Sequence, residues 1–166
     1  MTKGSFVKRL YKEISLNTTP RTTDKVWMDP YTGTIFNYDS VRSKWLSTAK
    51  YIFEFARSGN SVGIYLPLLG DLDAAEDVYR AGKKLTIVSV SCSIQTLQYD
   101  VPKGFEIHIN GAPIHEFSCL AGVVCYNDTL NYDMDSSDKL QLYVTNDDNK
   151  AKNVVCRIET AWRYDL

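Results

Sequence analysis

The chain has 166 residues, 44% of them apolar and 23% charged, with four cysteines and a formal net charge of −1. That is the size of one ordinary domain, able to bury about two thirds of its unfolded surface, so a core needs neither metal nor disulfides to hold it. The composition excludes a wholly disordered chain, and the charge argues against nucleic acid as the main partner, because phosphate binding needs a surplus of Lys and Arg on one face.

The charge is unevenly placed. Lys3, Lys8, Arg9, Lys12, Arg21 and Lys25 stand against Glu13 and Asp24, so residues 1–25 carry +4 and the rest −5. Phe6, Val7, Leu10, Tyr11 and Ile14 recur at helical spacing, with Lys8, Arg9, Lys12 and Glu13 on the other side, which predicts a helix over residues 4–16. Pro20, in a Thr-rich stretch, ends it. A helix this short is marginal alone, so its apolar face needs a surface to dock on. The expected organisation is a docking arm with linker at 1–24, helical or extended, and a β-sandwich domain at 25–166.

From Lys25 the apolar period changes to two. Val26-Trp27-Met28 leads into the turn residues Asp29-Pro30-Tyr31-Thr32-Gly33, and a short strand follows at 34–38. A strand is expected at 50–56, a turn at Arg57-Ser58-Gly59-Asn60, and another strand at 62–69 that Pro67 pushes towards a sheet edge. Residues 71–80 fit a short helix or a loop. Residues 85–94 read as a strand with Thr86, Val88, Val90, Cys92 and Ile94 on its buried face.

Asn110-Gly111 between two alternating runs is a strong hairpin signal, because both turn residues must take positive φ. It sets Ile109 opposite Ala112 and His108 opposite Pro113. Strands follow at 120–126, at 139–145 with Leu140, Leu142 and Val144 inward, and at 154–162. Short strands parted by turns, without long helices between them, point to an all-β chain: an antiparallel β-sandwich, jelly-roll-like.

Chemistry is sparse along this pattern. Nucleophile-elbow, zinc-protease, phosphate-loop and dinucleotide motifs are absent from the sequence. His108 shares a strand face with Glu106 and is expected to be exposed, as is His115. Asp133, Asp135, Ser137 and Asp138 open like a calcium loop, but Asp138 stands where that loop has glycine and Val144 where it has glutamate, so an acidic turn is expected. Asn146 to Lys150 read as another turn. The cysteines lack metal-ligand spacing, and Cys92 and Cys156 lie in apolar runs, so all four are expected as reduced thiols in a protein made in the cytoplasm. The sequence has neither a secretory leader nor a run of about 18 apolar residues. The chain is read as non-enzymatic, without metal or cofactor, and without a membrane or nucleic-acid partner.

Eleven tyrosines and three tryptophans are the residues best suited to contact. Trp27, Tyr31, Tyr38 and Trp45 are the candidate surface contacts; Phe6, Val7, Leu10, Tyr11 and Ile14 are the candidate docking face of the arm.

One resemblance adds to this. Arg42-Ser43-Lys44-Trp45-Leu46-Ser47 precedes a strand ending Phe53-Glu54-Phe55 and a glycine turn; Tyr79-Arg80 then leads into the strand holding Thr86-Ile87. This order, over residues 38–94, resembles a β-rich module of structural proteins of tailed bacteriophages, of tail, fibre or head-attached type. The resemblance implies a sandwich fold, a place in the virion, contacts with other virion proteins, and homo-oligomers with trimers favoured. A carbohydrate- or receptor-binding β-sandwich module is the alternative reading, with a glycan or receptor as partner.

Overall fold

A computed structural model describes residues 14–15, 20, 26–68 and 79–165. Among them the regular structure is all strand: β1 (Ile14–Ser15), β2 (Val26–Met28), β3 (Ile35–Asp39), β4 (Lys44–Ser61), β5 (Ile64–Tyr65), β6 (Tyr79–Arg80), β7 (Leu85–Leu97), β8 (Lys103–Ile109), β9 (Ala112–Cys119), β10 (Val124–Asn127), β11 (Tyr132–Met134), β12 (Lys139–Val144) and β13 (Ala151–Tyr164). The chain forms two compact units, residues 1–50 with 161–166 and residues 51–160.

In the first unit the strand order is β1-β2-β3-β4-β13, the last two contributing only the portions that fall in this unit. β1 lies parallel to β2, Ile14 opposite Val26, while β2, β3 and β4 are antiparallel. The helix expected over residues 4–16 therefore does not include Ile14 and Ser15, whose backbone pairs with β2. Phe6, Val7, Leu10 and Tyr11 lie outside the described residues. The β2–β3 turn is built as its residues dictate: the Gly33 amide donates to the Asp29 carbonyl at 2.8 Å, Thr32 Oγ1 donates to Asp29 Oδ2 at 2.6 Å, and Gly33 takes φ +70°.

The second unit is the β-sandwich. One sheet has the order β4-β13-β7-β10, with β11 also on β7; the other has β5-β12-β8-β9, with β6 also on β12. The chain passes repeatedly from one sheet to the other. Strict alternation along β12 buries Leu140, Leu142 and Val144 completely, against Phe105 and Ile107 of β8 in antiparallel register. From the other sheet, Phe55, Val90, Ile94, Val154 and Ile158 are buried as well. Each such side chain contributes about 1.5–3 kcal/mol by leaving water.

The β8–β9 hairpin turns at Asn110 (φ +54°) and Gly111 (φ +81°), with Ile109 opposite Ala112 and His108 opposite Pro113 as the turn type requires. The register slips between Ile107 and His108, so that Ile107 faces His115. The slip falls beside Pro113, which has no amide hydrogen to give to a ladder.

Three expectations are corrected. Residues 57–60 do not turn; β4 continues to Ser61 because β13 pairs alongside it, and the bend moves to Gly63 at φ +59°. The cysteines are not free: Cys92 of β7 is bonded to Cys156 of the adjacent β13, and Cys119 at the end of β9 to Cys125 of β10, linking the two sheets. Sequence spacing hides both pairs, because neither neighbouring of strands nor crossing between sheets can be read from it. Tyr79 and Arg80 form a strand rather than part of a helix or loop; residues 69–78 lie outside the described residues.

Candidate functional site

Two of the aromatic residues singled out by sequence are not surface groups. Trp27 and Trp45, at 0% and 1% exposure, form the core of the first unit with Phe36. The Trp27 ring lies 4.7 Å from Tyr164 and 5.3 Å from Phe36. Their large rings supply much of the apolar area of this small core. Tyr38 is half-buried, edge-on to Trp45 at 5.5 Å. Tyr31, in the β2–β3 turn, is 85% exposed.

The histidines sit in the second unit. His108 is only 7% exposed, not the surface residue expected. Tyr65 and Tyr143 close over its ring, with centroids 5.4 and 5.7 Å away. Its Nδ1 lies 3.0 Å from Tyr65 Oη and its Nε2 2.7 Å from Glu106 Oε2. A neutral ring satisfies both, donating from Nε2 to the carboxylate and accepting the tyrosine proton at Nδ1. The Tyr65–His108–Glu106 array is a complete hydrogen-bonded relay packed under aromatic rings. His115 is half-buried against Tyr132 and Phe117, and burial, partly opposed by the Glu116 charge, pushes its pKa down.

The acidic turn is held by its own carboxylates. Asp133 Oδ1 accepts from Thr86 Oγ1 at 2.8 Å, Asp138 Oδ1 accepts from the Asn110 side-chain amide at 2.8 Å, and Asp138 Oδ2 accepts from the Asp135 amide at 2.7 Å. Among the described residues no group of three His, Cys, Asp or Glu is placed to hold a metal ion.

An open cleft lies elsewhere, in the second unit. Asn60 from the end of β4, Thr96 and Leu97 of β7, Gln98 just after it, Lys150 just before β13 and Lys152 near its start line a cleft of about 350 Å³. That volume falls at the lower end of the ~300–1,000 Å³ usual for small-ligand sites. Amide, hydroxyl and ammonium groups converge there around one aliphatic side chain. Together they offer donors and acceptors in the mixture that clustered hydroxyl groups demand. Tyr99, 51% exposed, continues from Gln98, whose Nε2 donates to the Tyr99 hydroxyl at 2.9 Å.

The walls of this cleft are fixed from below. The Gln98 amide donates to the Lys150 carbonyl at 2.9 Å, and the Tyr99 amide to Asn149 Oδ1 at 2.9 Å. Asn149 Nδ2 donates to the Val101 carbonyl at 2.7 Å, and the Asn149 amide to Asp147 Oδ1 at 2.8 Å. Asp147 in turn accepts from the fully buried Lys103 ammonium at 2.6 Å, which also donates to the Thr145 carbonyl at 2.8 Å. The loops at 98–102 and 145–150 are therefore cross-braced, and a ligand meets side chains that need little ordering.

Sequence reading missed this site. It took Asn60 and Lys150 as turn residues and did not single out Thr96, Gln98 or Lys152. The available signal was the polar ending of three strands, at Asn60, at Thr96–Gln98 and at Lys150–Lys152; only the order β4-β13-β7 brings those endings together.

No protein-family model matches the sequence, and no curated protein matches it. Among solved structures, the chain is similar to the CBM36-1 domain of a multidomain xylanase from the hindgut metagenome of Trinervitermes trinervoides, with 11% identity and a TM-score of 0.40 over 66% of this chain and 96% of that one. It is also similar to the Podospora anserina GH26-CBM35 beta-(1,4)-mannanase, with 11% identity and a TM-score of 0.31 over 81% of this chain and 22% of that one. Likeness at this level assigns neither ligand nor activity.

Proposed function

We propose that this chain is a non-catalytic carbohydrate-binding β-sandwich module that takes a glycan in the cleft lined by Asn60, Thr96, Leu97, Gln98, Lys150 and Lys152. The observation that carries the reading is the gathering of exposed hydrogen-bonding side chains on a cleft whose walls are already braced. Sugar hydroxyls need such groups in numbers, and Tyr99 at the rim adds a ring face for stacking. The relay at Tyr65, His108 and Glu106 does not line this cleft and supplies it with no nucleophile or base. Carried on a virion, as residues 38–94 suggest, a module of this kind would hold the particle to a surface polysaccharide.

The test is affinity electrophoresis of the full chain against a panel of soluble polysaccharides, with Asn60→Ala and Gln98→Ala beside the parent. Both positions are solvent-exposed, so folding should survive. Each lost hydrogen bond is expected to weaken binding about five- to tenfold. Retardation that both variants retain unchanged would place binding outside the cleft. A parent that no polysaccharide retards would dismiss the reading.

A further inference from the structure

We infer that the glycan of this cleft is anionic, bearing a carboxylate or a sulfate group. The inference rests on the glycan reading above and sharpens it. Lys150 and Lys152 are the charged groups of the lining, and no aspartate or glutamate lines it. Ala151 between them is completely buried, and in an extended segment residues i and i+2 share a side, so the two lysines point the same way, outward.

Asp148, exposed and two residues before Lys150, forms no ion pair with either lysine among the described residues. Asp147, three residues before Lys150, is bound by Lys103, Thr145 Oγ1 and the Asn149 amide, and so is neutralised within the brace. Both lysines are exposed, and neither ammonium has a carboxylate partner among the described residues. Two like charges side by side repel each other, and an anion seated between them relieves that repulsion while being attracted by both. Asn60, Thr96 and Gln98 serve neutral hydroxyls; the paired ammonium groups add discrimination for a charged sugar. Outside residues 1–25 the chain carries −5. A polyanion is therefore repelled by most of the protein and needs a local basic site to bind.

The experiment compares matched polymers by calorimetry on the full chain: polygalacturonate against its fully methyl-esterified form for the carboxylate, and dextran sulfate against dextran for the sulfate. The parent is expected to bind at least one acidic polymer tenfold or more tightly than its neutral counterpart. Raising salt from ~0.05 to ~0.5 M should erode that difference. Lys150→Gln with Lys152→Gln should bring the acidic polymer down to the level of the neutral one. Equal binding of acidic and neutral polymers would overturn the charge selectivity and leave the glycan reading standing. Acidic binding that survives the double substitution would overturn it too, since the charge is then read elsewhere, for instance by the basic residues of 1–25. If neutral and acidic polymers all fail to bind, the glycan reading itself falls.

Discussion

Lys103 is the residue whose neighbours matter most to the cleft. Its ammonium is fully buried and holds the Thr145 carbonyl and Asp147 Oδ1, and through Asp147 it positions Asn149 and the amide of Tyr99. Burial pushes the Asp147 carboxyl up, but hydrogen bonds from Lys103, the Asn149 amide and Thr145, together with the Lys103 charge, outweigh it and hold the group below 3.8. With its folded value under its unfolded one, the unfolded state binds more protons in acid. The stabilisation is complete above about pH 4 and drains away as pH falls through the folded value. Asp147→Asn is therefore expected to be less stable than the parent at neutral pH, with the gap narrowing below about pH 4. Urea titrations at pH 7 and pH 3 read this, and a gap of constant size would disprove it. Such a brace cannot be seen in sequence, where Lys103 and Asp147 are two charges 44 residues apart. Their meeting depends on β8 and β12 being neighbours.

At the scale of elements, local chemistry and long-range pairing can be weighed against each other. The β8–β9 hairpin is dictated locally, and its turn is also fastened to β12: the Asn110 side chain accepts from the Lys139 amide at 2.9 Å and donates to Asp138. Gly111 sits at φ +81° with open space where a Cβ would go, so a substitution there meets only the backbone penalty. Gly111→Ala should cost about 1 kcal/mol, seen as a lower Tm, whereas Gly82→Ala, equally open but without positive φ, should not. Equal Tm values would contradict this account of the turn. The opposite case is Arg57 to Asn60, where turn-forming residues lie within β4. There β13 supplies hydrogen bonds along the strand, and pairing outweighs local preference. Ile14 makes the same point, since it has helical spacing with its neighbours yet lies in a strand beside β2.

For the molecule as a whole, the two disulfides change the stability argument made from length alone. Cys92–Cys156 spans 64 residues and Cys119–Cys125 six. On the chain-entropy account these are worth about 4 and about 2 kcal/mol. Denatured but unreduced protein should show no thiol reactive to Ellman's reagent. Removing the longer bridge as Cys92→Ala with Cys156→Ala should lower the urea midpoint about twice as far as removing the shorter one. Four reactive thiols, or the reverse order of midpoints, would count against this arrangement. Strand periodicity, the hairpin, the Asp29–Gly33 turn and the all-β class were all readable along the chain, because each arises between residues a few positions apart. Which tryptophans are buried, which cysteines meet and where the cleft opens were not, because each depends on strands distant in sequence lying side by side, and loop-closure entropy and hydrogen-bond ladders settle that for the chain as a unit.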